Sequence, residues 1–188
     1  MTPLKKKRAW MKNFADLEAI KSSVIIYPTD TVYGIGCNAE KDVLVNRIFE
    51  IKGRGTKKPM SVIAPGKEWI LKHCIVSQET VDKYLPGKYT LLVKKKDKEF
   101  LSAATAGMQT IGVRIPAHRF SRLVEKAKVP FVTTSANPSG WGAPKALSEM
   151  PVSLKDAVDI VIDGGELDGT PSTLVDCTGG NDVVVERV

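Results

Sequence analysis

Short apolar runs and amphipathic stretches take turns along this chain. Phe14, Leu17 and Ile20 recur at helical spacing behind Asn13, a capping residue, and predict a helix over 13–22. Val24, Ile25, Ile26 and Tyr27 form an apolar run that Pro28 stops, which reads as a buried strand. Val45, Ile48, Phe49 and Ile51 predict an amphipathic helix over 42–52. A strand is expected over 60–64, then a helix from the Ser77 cap to Leu85, ended by Pro86 and Gly87. Strands are predicted over 89–93 and 110–115, a helix over 117–128, and a very short strand over 131–133. Three further strands are expected over 159–162, 172–176 and 183–187. Helix and strand alternate early and strands dominate late. That order predicts an α/β fold on a mixed sheet rather than a doubly wound parallel one.

Length and composition narrow this picture. At 188 residues one domain is expected, spanning 13–188 behind a basic tail over 1–12. Apolar residues at 43% supply a core. No apolar run approaches the roughly 18 residues that span a bilayer, so no membrane partner is expected. The basic tail lacks a following apolar segment and does not read as a secretory signal. Cys37, Cys74 and Cys177 fit neither a disulfide framework nor a metal-ligand spacing; a cytoplasmic setting and no metal site are the expectation. The net charge of +7 favours phosphate-bearing partners without separating a nucleotide from RNA.

Several polar clusters carry candidate chemistry. Lys52, Arg54, Lys57 and Lys58 crowd around Gly53 after the second helix. Such a loop is either solvated or relieved by an anion; the arginine offers a planar fork to phosphate oxygens and the lysines compact charges. Thr133, Thr134, Ser135, Asn137 and Ser139 set many neutral hydrogen-bonding groups just past a buried strand, as an Asn-Pro turn or a ligand loop. Residues 27–34, Tyr-Pro-Thr-Asp-Thr-Val-Tyr-Gly, leave another strand end, where α/β folds place ligand-contacting loops. Arg114 lies within an apolar strand, a costly place that calls for a partner acid or for a carboxylate or bicarbonate ligand. Gly34 and Gly36 resemble a dinucleotide fingerprint only superficially, since Pro28 and a polar stretch separate them from the strand; a tight turn is expected. His73 and His118 are isolated, and the runs at 5–8 and 94–96 read as solvated charge.

In order and at fitting distances, residues 27–34, Lys52-Gly53-Arg54, Pro86-Gly87-Lys88-Tyr89-Thr90, Gly112-Val113-Arg114-Ile115-Pro116, residues 134–140 and residues 171–176 resemble the YrdC family of L-threonylcarbamoyladenylate synthases. The resemblance covers nearly all of 13–187. It implies a twisted, open, mixed sheet with flanking helices and a concave basic face. It implies that L-threonine, bicarbonate and ATP yield threonylcarbamoyl-AMP and pyrophosphate, with Mg²⁺ entering alongside ATP. A downstream tRNA threonylcarbamoyl transferase then uses the product. The family signature falls on Lys52, Arg54, Ser135 and Asn137. The family pattern places threonine near Thr31, Arg114, Thr133 and Ser172, and ATP near Arg54, Lys58, Thr110, Ser135, the backbone of Ala143, and Arg187. Lys58 stands where longer members often carry Asn, Ile63 where they often carry a threonine-contacting His, and Pro86-Gly87-Lys88 replaces the commoner Pro-Gly-Pro. The chain ends directly after Arg187 and is expected to lack the extra C-terminal domain of the long form. From a different class, the alternative is a non-catalytic protein that binds tRNA or double-stranded RNA on the same basic surface. The 6% of aromatic residues offers little for base stacking and argues against it. A third option is a relative that hydrolyses a nucleotide derivative.

Overall fold

The period of two along a strand decides what each face of this sheet becomes. A computed structural model describes residues 14–53, 58–180 and 182–185. Its helices are α1 (Phe14–Ser22), α2 (Asp42–Ile51), α3 (Lys67–His73), α4 (Gln78–Tyr84), α5 (Ser102–Thr105), α6 (Arg119–Ala127) and α7 (Val152–Ala157). The strands are β1 (Ile25–Tyr27), β2 (Gly34–Gly36), β3 (Ser61–Ile63), β4 (Cys74–Ile75), β5 (Tyr89–Lys95), β6 (Thr110–Arg114), β7 (Phe131–Ser135), β8 (Ile160–Val161), β9 (Thr173–Asp176) and β10 (Val183–Val185). They form one mixed sheet in the order β10-β9-β5-β6-β3-β7-β2-β1-β8. The strand β4 pairs with the far end of β5, at Lys94 and Lys95, beyond the reach of β9. Parallel pairing joins β3 to β6, β5 to β9 and β1 to β8. The mixed α/β sheet is the one the alternating pattern predicts.

One face of the sheet is predominantly apolar. Ile26, Ile35, Val62, Leu91, Val93, Ile111, Val113, Val132 and Val175 point into a single core. Five helices cover it, through Val45, Ile48 and Phe49 of α2, Ile70 of α3, Val81 of α4, Ala104 of α5 and Leu154 of α7. Cys37 and Cys74 belong to this core, and burial pushes both thiols up to about 12, so they pack as small apolar groups.

The other face is divided. Over β1, β3 and β7, Ile25, Tyr27, Ile63 and Phe131 meet Ile20 of α1 and Phe120 and Val124 of α6 in a second core. Tyr27 stacks on Phe120 at 3.9 Å and meets Phe131 edge-on at 5.6 Å. Ile63 is fully buried here, so its place in the fold is hydrophobic packing under α6. Toward β5, β6 and the end of β7, no helix among the described residues lies over this face, and the residues turn polar: Ser61, Thr90, Arg114, Thr133 and Ser135.

Gly34 and Gly36 correct one expectation. They form β2, paired with β1 on one side and β7 on the other, rather than a tight turn. A side chain at Gly36 would place its Cβ 1.8 Å from the Val132 carbonyl oxygen, and one at Gly34 would lie 2.9 Å from the Tyr27 ring. Glycine here lets the backbone of β2 lie against its neighbours. Gly36→Ala is therefore expected to lower the unfolding free energy by about 3 kcal/mol, at the top of the range for overpacking, read as a drop in the urea midpoint at unchanged slope.

Candidate functional site

The uncovered part of the divided face is the floor of a cavity of about 600 Å³. Its floor and walls include Ser61, Thr90, Arg114, Thr133, Ser135 and Ser172, with Thr29, Tyr33 and Ala143 at the sides. Small hydroxyl residues on a sheet face leave depth that larger apolar ones would fill. Gly112 lies between two of these walls, where a Cβ would fall 2.3 Å from the Ser61 hydroxyl and 3.2 Å from the Thr90 methyl. Ser172 and Thr90 share a hydrogen bond of 2.8 Å across β9 and β5. Thr133 accepts from the Tyr27 hydroxyl at 2.7 Å, and burial raises that phenol, which keeps it a neutral donor.

Arg114 ends β6 with its side chain at the cavity. Its Nη2 donates to Asp30 Oδ1 at 2.7 Å, and both side chains are only 7% exposed. The other Asp30 oxygen accepts from the Ala117 amide at 2.8 Å. Thr31, fully buried, accepts weakly from both Arg114 terminal nitrogens at 3.4–3.5 Å and bonds Thr29 at 2.9 Å. The partner acid that an arginine in an apolar strand calls for is thus Asp30. Arg114 also lines the cavity, where it offers fixed positive charge to an anion. Thr31 supports it from behind and is not itself a wall of the cavity.

Lys52 takes an unusual position. Its helix, α2, stops because Gly53 adopts a φ of +61°, the left-handed conformation favoured just past a helix end. The Lys52 side chain is 1% exposed, and its ammonium donates to the carbonyls of Ser135 at 2.5 Å and Asn137 at 3.0 Å. In return, the Lys52 carbonyl accepts from the Ser139 amide at 3.2 Å. Two distant sequence motifs are thereby locked to each other, and Lys52 acts on the cavity through the loop it grips. In that loop Asn137 is 9% exposed; its Nδ2 donates to the Pro138 and Trp141 carbonyls, and its buried Oδ1 has no hydrogen-bond partner among the described residues. A buried acceptor without a donor is rare in a folded chain.

The strap over 163–172 bounds the mouth. The Tyr33 hydroxyl accepts from Gly164 N at 2.9 Å and donates to Gly165 O at 2.8 Å, while Gly169 N bonds Thr31 O at 3.1 Å. Burial raises the Tyr33 hydroxyl above the usual tyrosine range. The cavity thus gathers Arg114, Thr133, Ser135, Ala143 and Ser172. Lys58 is exposed on the chain beside Pro59, and Thr110 starts β6 opposite Lys94; neither is among the cavity's lining residues. Arg54 and Arg187 lie outside the described residues, as does the tail over 1–12. Sequence reasoning missed Ser61 and Thr90 as walls. Both sit on strands whose alternation, set against Val62 and Leu91 in the core, marks them as facing the other way.

Two substitutions separate the supports. Asp30→Asn should cost about 3–5 kcal/mol, the usual penalty for a buried charge deprived of its partner. Lys52→Met, which abandons two buried carbonyls, should cost about 3 kcal/mol. Urea titration of each variant checks both, and a loss within about 0.5 kcal/mol, as for an ordinary surface change, would show that the group carries no support.

A family model named Sua5/YciO/YrdC, with the description "Telomere recombination", matches residues 18–187. The threonylcarbamoyl-AMP synthase of Pyrococcus abyssi is 34% identical over 84% of this chain and 48% of its own length. That of Idiomarina loihiensis is 32% identical over 77% of this chain and 81% of its own. The chain thus spans about half the length of the Pyrococcus relative and most of the Idiomarina one. The crystal structure of P. abyssi Sua5 complexed with L-threonine has a TM-score of 0.77 to this fold at 28% identity, covering 92% of this chain and 52% of that one. From α1 to the last strand, the match takes in both motifs that Lys52 joins and every wall of the cavity: this chain belongs to the Sua5/YciO/YrdC family.

Proposed function

We propose that this chain is a threonylcarbamoyl-AMP synthase, making threonylcarbamoyl-AMP and pyrophosphate from L-threonine, bicarbonate and ATP. The observation that carries the reading is one cavity in which a buried guanidinium, held by Asp30, stands among the hydroxyls of Thr133, Ser135 and Ser172. Charge fixed on one wall suits a carboxylate, and neutral hydroxyls suit the remaining polar atoms of an amino acid. Relatives named for this activity support it, as does L-threonine bound in a family structure.

In the reaction, the threonine amine attacks the bicarbonate-derived carbon, water leaves, and a carbamate forms. A carbamate oxygen then attacks the α-phosphorus of ATP, and the bond to the bridging oxygen of pyrophosphate breaks. Carbamates decompose in water, so a recessed site has chemical value. The residues contribute position and charge rather than covalent chemistry. Arg114 holds the threonine carboxylate, with Thr31 behind it; Thr133 and Ser172 orient the amino acid. Ser135 and Asn137 orient the reacting groups on a loop that Lys52 keeps in place. Arg54, Lys58, Thr110, the Ala143 backbone and Arg187 serve the nucleotide by family pattern. Among the described residues no three His, Cys, Asp or Glu side chains cluster. The residues therefore fit Mg²⁺ only as a companion of the nucleotide phosphates, where it would neutralise charge on the triphosphate. The product passes to a tRNA threonylcarbamoyl transferase. The setting is the cytoplasm, where free thiols such as Cys37, Cys74 and Cys177 persist; no helix among the described residues is long and apolar enough to cross a membrane.

Incubation with labelled bicarbonate, threonine and ATP tests the reading. Product that requires all three substrates is expected. Arg54→Ala is expected to abolish threonine-dependent pyrophosphate release with the fold intact by circular dichroism. Arg114→Gln is expected to raise the threonine KM by about 30-fold or more, as loss of a charge-assisted contact implies. Tight, salt-sensitive RNA binding without product would overturn the synthase in favour of an RNA-binding protein.

A further inference from the structure

The cavity is rich in hydroxyls and poor in flat apolar surface. Tyr33 is the one aromatic among its described walls; its ring is fully buried and its hydroxyl is tied to the strap. A nucleobase needs such a surface, and the loop that leads into the wall at Ala143 carries one in Trp141. Trp141, two residues before the cavity wall at Ala143, is 63% exposed. Its backbone is held at both ends. The Trp141 amide donates to Pro138 O at 3.2 Å, closing a turn whose third residue, Gly140, has the positive φ of +87° that a type II turn requires there. The Trp141 carbonyl accepts from the buried Asn137 amide. Two residues before Trp141, Ser139 is anchored to Lys52, and just beyond, Pro144 O accepts from Tyr33 N at 2.9 Å. The surroundings of Gly140 and Gly142 are open, with nothing within 4 Å of a Cβ at either. A large indole left in water on a loop tied down at four points is placed for something that arrives.

We propose that the indole of Trp141 is the platform on which the nucleobase of the ATP substrate stacks at the rim of the cavity. The inference rests on the cavity's being the ATP-dependent site proposed above. Stacking on one aromatic ring contributes about 1–3 kcal/mol per base and tolerates any base, because every base has a π-face. It sets affinity for the nucleotide without touching threonine or the atoms that react, so Trp141 is a binding residue.

The test measures ATP binding directly and product formation separately. In the full chain, tryptophan emission arises from Trp10, Trp69 and Trp141. ATP should quench part of it, and Trp141→Phe should abolish that component while calorimetry shows nearly wild-type affinity. Trp141→Ala and Trp141→Leu should both weaken ATP binding and raise its KM by about 5- to 150-fold, the range that 1–3 kcal/mol converts to. The threonine KM and kcat should stay within about twofold. The leucine variant keeps apolar bulk and loses the ring, which separates stacking from loop packing. Unchanged ATP affinity in both variants overturns the platform, even if the wild type makes product. Weakened ATP binding in both, in a wild type that makes no product, upholds the platform and overturns the synthase.

Discussion

A lysine ammonium sealed from water must find its partners inside the protein, and Lys52 finds them in two backbone carbonyls of a loop more than eighty positions away. Burial of a charge is costly unless hydrogen bonds replace its hydration. Here the exchange is between a helix end that glycine stops and a strand end that opens into an irregular loop. Beyond Lys52 and beyond Ser135 the chain leaves regular secondary structure. The ammonium lets one define the position of the other, and the Ser139 amide, bound to the Lys52 carbonyl, repeats the constraint in the opposite direction. Ser135, Asn137 and the turn carrying Trp141 inherit their positions from it.

The second constraint is the shared carboxylate of Asp30. One oxygen neutralises Arg114 at the floor of the cavity and the other takes the Ala117 amide ahead of α6. That helix also lays Phe120 on Tyr27, whose hydroxyl bonds Thr133. The cavity wall is therefore braced from the core beneath α6 as well as from the strap. Among the hydroxyls at the cavity, those of Thr133, Thr90 and Ser172 are each held by a hydrogen-bonded neighbour.

Much of this was legible in the residues. Apolar runs locate β1, β3, β5, β6 and β7, and helical spacing, capping residues and the amphipathic pattern of α2 locate α1, α2, α4 and α6. The elements that escape notice have physical reasons to do so. The helices α3 and α7 each bury a single residue, Ile70 and Leu154, which is too few to make a period. The strand β2 is written as Gly-Ile-Gly, and glycine there answers to the Val132 carbonyl and the Tyr27 ring, neighbours that only the folded chain brings close. The polar motifs are visible as composition, but not their direction. A lysine beside an arginine reads as a phosphate ligand until its ammonium is seen turned toward carbonyls. Arg114 leaves an acid or a ligand equally open, and Asp30 resolves the first without removing the guanidinium from the cavity.

The sheet that carries the cavity has core on its opposite side, so consecutive residues of one strand serve separate ends. On β6, Ile111 and Val113 are sealed in the interior while Gly112 and Arg114 shape the floor of the site. A change at a cavity-facing position of β6 leaves Ile111 and Val113 in place on the opposite side, while Arg114 itself stays bound to the buried Asp30. An architecture of this kind can acquire new chemistry while the opposite side of the sheet keeps its packing, because durability and reactivity are largely interleaved along the same backbone and meet only at braces such as Arg114 with Asp30.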